Sequence, residues 1–407
     1  MEQRLPYLRI WNALAAEKSM VFLSGPRQSG KTTLAGIIAD HFPNHLYCNW
    51  DIPSHQSQLI EHPTFFTAMP RHDTSKPLVV FDEIHKYRNW KNYLKGAYDE
   101  FRTDYKFLVT GSGRLDLYQK GGDSLAGRYL QFQIWPLTIG ELGNANRELD
   151  AFLGDPLAVA LDRQDELVAT WEQLETLSGF PEPYLRGRVS SYRRWSATYG
   201  QRIVREDIRD MTGIRSATDV ETLFNLLPSK VGNPLSLPSL ARDLKLAYTT
   251  VQSWLDIIER FYLTFTLTTW TERIARAIQK ERKVYLFDVP RVTDPAARFE
   301  NQVALELWRA VSCWNAMGAG DFSLHFIRNK EHQEVDFLVA NNREPVLLAE
   351  AKLSEERPTE PLLKIQRALR IPAVQLVRNA RAFRTYTNDS LPLVVAPAQS
   401  WLAALPM

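Results

Sequence analysis

Apolar and polar positions change their period along the chain, and the changes divide it into four parts. Up to about Leu142, short unbroken apolar runs alternate with amphipathic stretches of helical length, the pattern of buried strands separated by helices. The runs Met20–Leu23, Leu46–Asn49, Leu78–Phe81, Lys106–Thr110 and Tyr129–Ile134 are the expected strands, and the alternation predicts a doubly wound parallel sheet. Glu141–Gly179 then reads as mostly helical, with Leu153, Leu157, Leu161, Leu167 and Leu174 as its apolar positions. It forms a lid or spacer that stops at the breaker Gly179-Phe180-Pro181-Glu182-Pro183. Between Ser190 and Thr271 the pattern predicts a short helix over Pro238–Leu244, a turn at Lys245-Leu246-Ala247 and a second helix over Tyr248–Arg260. Val251, Leu255 and Ile258 face inward on that second helix, and Phe261–Trp270 alternates like strands. Helix, turn, helix and strand pair is the order of a winged helix. The last part opens with a helix at Phe299–Leu305. A hairpin follows: Glu334–Ala340, a turn at Asn341–Glu344, then Pro345–Lys352. The fold class is α/β, with expected divisions at 1–142, 143–189, 190–285 and 286–407.

Two expected strand ends carry chemistry. Gly25-Pro26-Arg27-Gln28-Ser29-Gly30-Lys31-Thr32, followed by Thr33, matches GxxxxGK[ST] between the strand ending at Leu23 and the helix that begins at Thr33. Strand, glycine-rich turn and helix is the setting a phosphate-binding P-loop requires. Its backbone N–H groups curl around a phosphate, and the helix N-terminus adds its positive end. Lys31 is expected on the β- and γ-phosphates of ATP, with the Thr32 hydroxyl on Mg2+. Pro77–Glu83 is an apolar run ending in two carboxylates. Asp82 is expected to orient Mg2+ through its water shell, and Glu83 to polarise the attacking water.

Charge changes the picture by its distribution. Lys plus Arg is 49 and Asp plus Glu is 47, so net charge says nothing about partners. Glu141–Glu175 holds nine acids against Arg147 and Arg163, whereas Arg186–Arg205 holds six arginines and no acid, and Lys364–Arg384 is basic only. Such segregation marks boundaries and surfaces suited to a polyanion, although a solvated basic face is an equal reading of any one stretch. Cys48 and Cys313 are the only cysteines. That excludes a disulfide scaffold and a cysteine-rich zinc site, and it fits a reducing, cytoplasmic setting. No stretch approaches the roughly 20 apolar residues of a membrane span, and no signal peptide is expected at the N-terminus.

The hairpin and the second helix of the winged-helix pattern offer two further candidate sites. Glu350 and Lys352 lie two apart on one strand and so share a face, with Asp336 on the partner strand. Close carboxylates on a buried sheet are expensive without a cation. Asp336 and Glu350 therefore form a candidate Mg2+ site, with Lys352 to orient water or a phosphate oxygen and Glu300 as a third carboxylate. Tyr248, Thr249, Thr250, Gln252 and Ser253 would sit on the exposed front of the second helix, able to touch phosphates and base edges. Arg193 and Arg194, within Tyr192-Arg193-Arg194-Trp195, suit phosphate contacts beside stacking rings. That tetrad serves equally as packing between domains.

Taken together, Gly25–Thr32, Asp82-Glu83, Thr110-Gly111-Ser112 and Ser124-Leu125-Ala126-Gly127-Arg128 resemble the AAA+ ATPases of archaea and bacteria. These carry an uncharacterised C-terminal domain that begins near a Gly-Phe-Pro-Glu motif, here Gly179–Glu182. The resemblance spans nearly the whole chain and implies a winged helix joined to a PD-(D/E)xK nuclease-like fold, matched by Asp336, Glu350 and Lys352 with Glu300 as the helix carboxylate. It further implies Ser112 or Thr110 as the sensor of the γ-phosphate. Arg128 would be the arginine finger on a neighbour's nucleotide, with Arg114 as its rival. A finger supplied in trans implies a homo-oligomer, a ring such as a hexamer. Three functions follow: an ATPase that moves on or remodels duplex or branched DNA, as a Holliday-junction branch-migration motor does; an ATP-gated, Mg2+-dependent nuclease; or a nucleotide-switched scaffold without DNA activity. The first ranks ahead, because two separate C-terminal features point to nucleic acid.

Overall fold

The computed structural model describes residues 4–111, 125–143, 147–158, 164–208, 216–271, 281–329, 331 and 333–406. These fall into two units, Met1–Trp135 with Arg260–Tyr262, and Pro136–Glu259 with Leu263–Met407.

The first unit runs α1 (Leu5–Glu17), β1 (Met20–Ser24), α2 (Lys31–Asp40), β2 (His45–Asn49), α3 (Pro53–Glu61), β3 (Leu78–Asp82), α4 (Trp90–Phe101), β4 (Lys106–Thr110) and β5 (Leu130–Gln133). Its five strands are ordered β2-β3-β4-β1-β5, and every pairing is parallel. All residues of β1 and β3 are buried, which is why both appear in the sequence as unbroken apolar runs. Phe66, fully buried, meets Phe81, Phe101, Tyr105 and Phe107 edge to face at 5.1–6.4 Å between ring centres. Truncating such a ring to alanine removes about 3–5 kcal/mol. Because the strands are parallel, the C-terminal ends of β1 and β3 open at the same edge, where a doubly wound sheet binds its ligand.

The second unit begins with five helices: α5 (Ile139–Gly143), α6 (Leu149–Gly154), α7 (Gln164–Leu177), α8 (Pro181–Arg186) and α9 (Val189–Arg202). The breaker at Gly179 has a packing cause. The Leu137 N–H donates to the Gly179 carbonyl at 2.6 Å, and a Cβ on Gly179 would stand 2.2 Å from the Leu137 oxygen. Then come α10 (Ala217–Leu226), α11 (Leu237–Leu244), α12 (Tyr248–Arg260), β6 (Thr264–Thr269), β7 (Arg282–Leu286), α13 (Pro295–Ala316), β8 (Phe322–Arg328), β9 (Glu334–Asn341), β10 (Glu344–Lys352), α14 (Glu360–Leu369), β11 (Ala373–Val377), β12 (Arg384–Asn388), β13 (Leu391–Pro397) and α15 (Ala398–Ala403). The strands form one mixed sheet ordered β12-β13-β11-β10-β9-β8-β6-β7.

That order corrects one expectation. The two helices and the turn between them are present, but Phe261–Trp270 holds a single strand, β6, which pairs antiparallel with β7 and parallel with β8. β6 and β7 therefore close one end of the eight-stranded sheet instead of standing as a separate wing, and strand pairing runs across the expected 285/286 division. A period of two shows that a strand is half-buried; it is silent about which edge it joins.

Candidate functional site

The loop after β1 is shaped by its glycines. Gly25 has φ +140°, and a Cβ there would lie 2.2 Å from the Ile134 carbonyl oxygen, so no other residue fits. Gly30, at φ 96°, starts α2, whose first residue is Lys31. The Lys31 ammonium is buried and donates to the carbonyl oxygens of Gly25 (3.0 Å) and Pro26 (2.7 Å). Thr32 and Thr33 are exposed at the helix start, as is Gln28 in the loop; Arg27 is half-buried and Ser29 buried. Arg4, unremarked in the sequence, braces the loop from behind. Its buried guanidinium donates to the carbonyls of Ser29 (2.6 Å) and Trp135 (2.7 Å). Nothing local to Arg4 announces this, because both acceptors are backbone atoms far along the chain.

Asp82 ends β3 and is 1% exposed. Its Oδ2 accepts from Thr32 Oγ1 (3.0 Å), Tyr47 Oη (2.7 Å) and Asn49 Nδ2 (3.3 Å), and its Oδ1 accepts from Thr110 Oγ1. The carboxylate is thus fixed against the hydroxyl of the P-loop threonine. Tyr47 and Asn49 come from β2, which pairs with β3 in register Asn49↔Asp82, and the sequence reading missed both. Their signal was a polar residue at every second position of an otherwise apolar strand. Burial, with the Asp82 charge second, pushes the Tyr47 hydroxyl far above the usual phenol range, so it remains a donor. Glu83 follows at φ 57°, a left-handed backbone that a non-glycine residue adopts at some cost. Its carboxylate stands 3.2 Å from Lys86 Nζ and 3.6 Å from His85 Nε2. Thr110 is brought to Asp82 as a sensor candidate would be; Ser112 and Arg114 lie outside the described residues. Arg128 makes a two-pronged ion pair with Asp99 of α4, at 2.7 and 3.0 Å, within its own unit.

A second constellation lies on the large sheet. The turn between β9 and β10 is two residues long, with Asn342 and Arg343 both at positive φ (48° and 68°), the geometry that matches strand twist. Counted from that turn alone, Asp336 would face Ala349. A bulge between Pro345 and Leu347 shifts the register by one, giving Ala349↔Phe337, so the next step sets Glu350 opposite Asp336. Without the bulge the two carboxylates would point to opposite faces. The Ala351 N–H donates to Asp336 Oδ2 (3.0 Å), Thr359 Oγ1 donates to Glu350 Oε2 (2.5 Å), and Lys352 Nζ stands 2.7 Å from Glu350 Oε1. Glu300 projects from α13, which begins at an Asp294 cap on Ala297 N–H.

The sequence reading missed the centre of this cluster. Lys283, on β7 and 0% exposed, places its ammonium 2.5 Å from Glu334, 3.0 Å from Glu300 and 3.7 Å from Asp336. Tyr285, two residues on and so on the same face, donates to Glu300 Oε1 at 2.8 Å. Burial opposes the charge on Lys283, but Glu300, Asp336 and Glu334 outweigh it and hold its pKa above the usual lysine value. Glu300 is pushed up to about 7, by burial first and by the Asp336 charge second. Glu350 is raised by burial and by Asp336 against the pull of Lys352. A cavity of about 430 Å³ opens on the cluster, with Gly232, Asn233, Glu300, Asp336, Lys352 and Glu355 in its wall. Mg2+ was expected here. Of the expected set, Glu300 and Asp336 face the Lys283 ammonium, and Glu350 is paired with Lys352 and accepts from Thr359. Among the described residues no three His, Cys, Asp or Glu side chains are grouped to hold a metal.

Residues 17–143 match the family model of an AAA domain. Residues 169–290 match a domain of unknown function. The chain is 24% identical over 272 residues to an uncharacterized protein of Mycobacterium tuberculosis, which covers 66% of this chain and 54% of that one. It is 23% identical over 316 residues to an uncharacterized protein of Haemophilus influenzae, covering 70% and 74%. It thus spans about half the length of the mycobacterial relative. Among solved structures, a Walker-type ATPase of Pyrococcus abyssi is similar at 16% identity and a TM-score of 0.41, over 72% of this chain and 93% of that one.

Outside residues 17–143, the candidate nucleic-acid contacts divide. On α12, Tyr248, Thr249 and Ser253 are exposed, with Thr250 and Gln252 half-buried, and Val251, Leu255 and Ile258 are buried as expected. On α9, Arg193 and Arg194 are exposed, but Tyr192 and Trp195 are 8% and 7% exposed. Trp195 packs on Phe180 and Tyr199 at 4.9 and 4.5 Å between ring centres. The aromatic half of that tetrad is packing, so its rings are not a platform for bases. No helix among the described residues is long and apolar enough to cross a membrane.

Proposed function

We propose that the AAA domain binds and hydrolyses ATP, and that the remainder of the chain couples this to movement on, or remodelling of, duplex or branched DNA. The observation that carries the reading is the contact of Thr32 with Asp82 at 3.0 Å, behind a loop whose shape only glycine permits at Gly25. These residues fit a nucleotide with its magnesium. Gly25–Thr33 would cradle the phosphates with backbone N–H groups, and Lys31 would turn from its carbonyl partners to the β- and γ-oxygens. Mg2+, held by Thr32 and through water by Asp82, would neutralise charge developing between those oxygens. Glu83 would polarise the attacking water, and Thr110 would report the γ-phosphate to Asp82.

Arg128 is proposed as the finger for a neighbouring copy in a homo-oligomeric ring, where a triphosphate would compete with Asp99 for its guanidinium. The exposed row on α12 and the arginines of α9 support the DNA half of the proposal. The test is the ATP hydrolysis rate measured alone and with linear duplex, single strand and four-way junction, at low and high salt. Stimulation that falls steeply with salt supports coupling to DNA. A rate indifferent to all three DNAs rejects coupling and leaves a nucleotide switch; a Lys31→Ala rate equal to wild type rejects the ATPase itself.

A further inference from the structure

We propose that the carboxylate cluster of the second unit is an ion network whose charge is offset, all but one carboxylate, by cations of the chain itself. In it the Lys283 ammonium stands against Glu300 and Asp336, two of the three carboxylates that a nuclease-like centre would turn to a divalent cation, and the site neither takes Mg2+ nor cuts phosphodiesters. The inference is independent of the ATPase reading, since every residue in it belongs to the other unit.

Three observations carry it. The first is the ammonium itself, fully buried and within 2.5–3.7 Å of oxygens from Glu334, Glu300 and Asp336. Mg2+ needs about six oxygen ligands at 2.0–2.1 Å and gives up water reluctantly. It would have to displace a fully buried lysine from its carboxylates. The second is the charge balance. Glu300, Glu334, Asp336 and Glu350 face Lys283, Lys352 and Arg328, the last at 3.9 Å from Glu334. Tyr285, Thr359 and the Ala351 N–H also donate to these carboxylates, so each of Glu300, Asp336 and Glu350 already has a hydrogen-bond donor besides its cation. The third is the cavity wall, where Asp294, Glu300, Asp336 and Glu355 stand against Lys352. Without a divalent ion this wall repels a phosphodiester. The cluster has the residue types of a phosphodiester-cleaving centre, and the fold has supplied its cation from within the chain.

The experiment titrates the full chain, free of nucleotide, with Mn2+ and follows the paramagnetic resonance signal of the free ion. Wild type and Asp336→Asn are expected to retain the same Mn2+. Lys283→Met is expected to retain one further equivalent, lost again in Lys283→Met/Asp336→Asn. Wild-type retention of Mn2+ that Asp336→Asn abolishes overturns the proposal, and so does a folded Lys283→Met protein that retains no more than wild type. If Lys283→Met does not fold, the comparison of wild type with Asp336→Asn decides.

Discussion

Two buried lysines separate the two halves of this protein. Lys31 and Lys283 are 7% and 0% exposed, and each sits among oxygen atoms. Lys31 bonds to the carbonyl oxygens of Gly25 and Pro26, neutral dipoles of its own loop. Lys283 is ringed by three carboxylates from α13 and β9. A carbonyl can be exchanged for a phosphate oxygen with a gain in charge attraction; a carboxylate cannot. The first lysine is therefore set to meet an anion, and the second already has its anions. Burial and residue type are alike in both; the partners differ, and on the proposed function they separate a lysine that meets a ligand from one that holds the fold.

The largest effect should come from removing Lys283. Lys283→Met leaves Glu300, Glu334 and Asp336 facing one another without their ammonium, and breaking a buried ion network in this way costs about 3–5 kcal/mol. Urea unfolding followed by tryptophan fluorescence should show the loss in the second unit, with nucleotide binding at the P-loop retained. Lys31→Ala should do the reverse. Removing one charged donor from a preorganised site lowers turnover by about 10²–10³-fold, while the urea midpoint stays near wild type. If the two variants gave the same profile, the contrast between a ligand-seeking and a structural lysine would fail.

The first of these sites was legible in the sequence and the second only half so. Gly25–Thr32 and Asp82-Glu83 are contiguous, and the roles proposed for them rest on backbone geometry at single strand ends, so spacing alone picks them out. The Asp336–Glu350 pairing was anticipated, but the turn would have misplaced it by one residue; the bulge after Pro345 corrects the register. Lys283 and Tyr285 carried a signal that went unused. They lie two apart in the short strand Arg282–Leu286, the same spacing that marked Glu350 and Lys352. What no local pattern offers is the neighbour: β7 meets the carboxylates through β6 and β8, and that order exists only in the assembled sheet. Arg4 was hidden for the same reason, whereas Tyr47 carried the alternation of β2 as a signal.

The pH dependence sharpens the contrast from the side of the carboxylates. Glu300 titrates at about 7 in the folded chain, against about 4.3 for an unfolded glutamate. The folded state therefore binds this proton more tightly. Its contribution to stability is complete below the unfolded value and is lost as pH rises through the folded one. Stability of the second unit should fall between about pH 4.5 and 7 by at most about 3 kcal/mol, and urea midpoints across that range measure it. Glu300→Gln should flatten the slope, because the neutral amide keeps the volume and does not ionise. A slope unchanged by Glu300→Gln would move the titration to another group and weaken the picture of a crowded anion ring around Lys283.

The smallest effect should come from Tyr47→Phe, and it tests how Asp82 is held. The variant removes one donor of 2.7 Å and leaves those of Thr32, Asn49 and Thr110. A hydrogen bond to a charged acceptor contributes about 1.5–3 kcal/mol, and with three donors left the low end applies, so turnover should fall roughly tenfold. The KM for ATP should stay near wild type, because Tyr47 positions Asp82 and is not proposed to touch the nucleotide. A fall as deep as that of Lys31→Ala, or a rise in KM with kcat preserved, would instead place the phenol on the ligand. The two-lysine contrast depends on the shallower result. Asp82 keeps three donors when Tyr47 is lost, whereas the three carboxylates around Lys283 lose the cation they share.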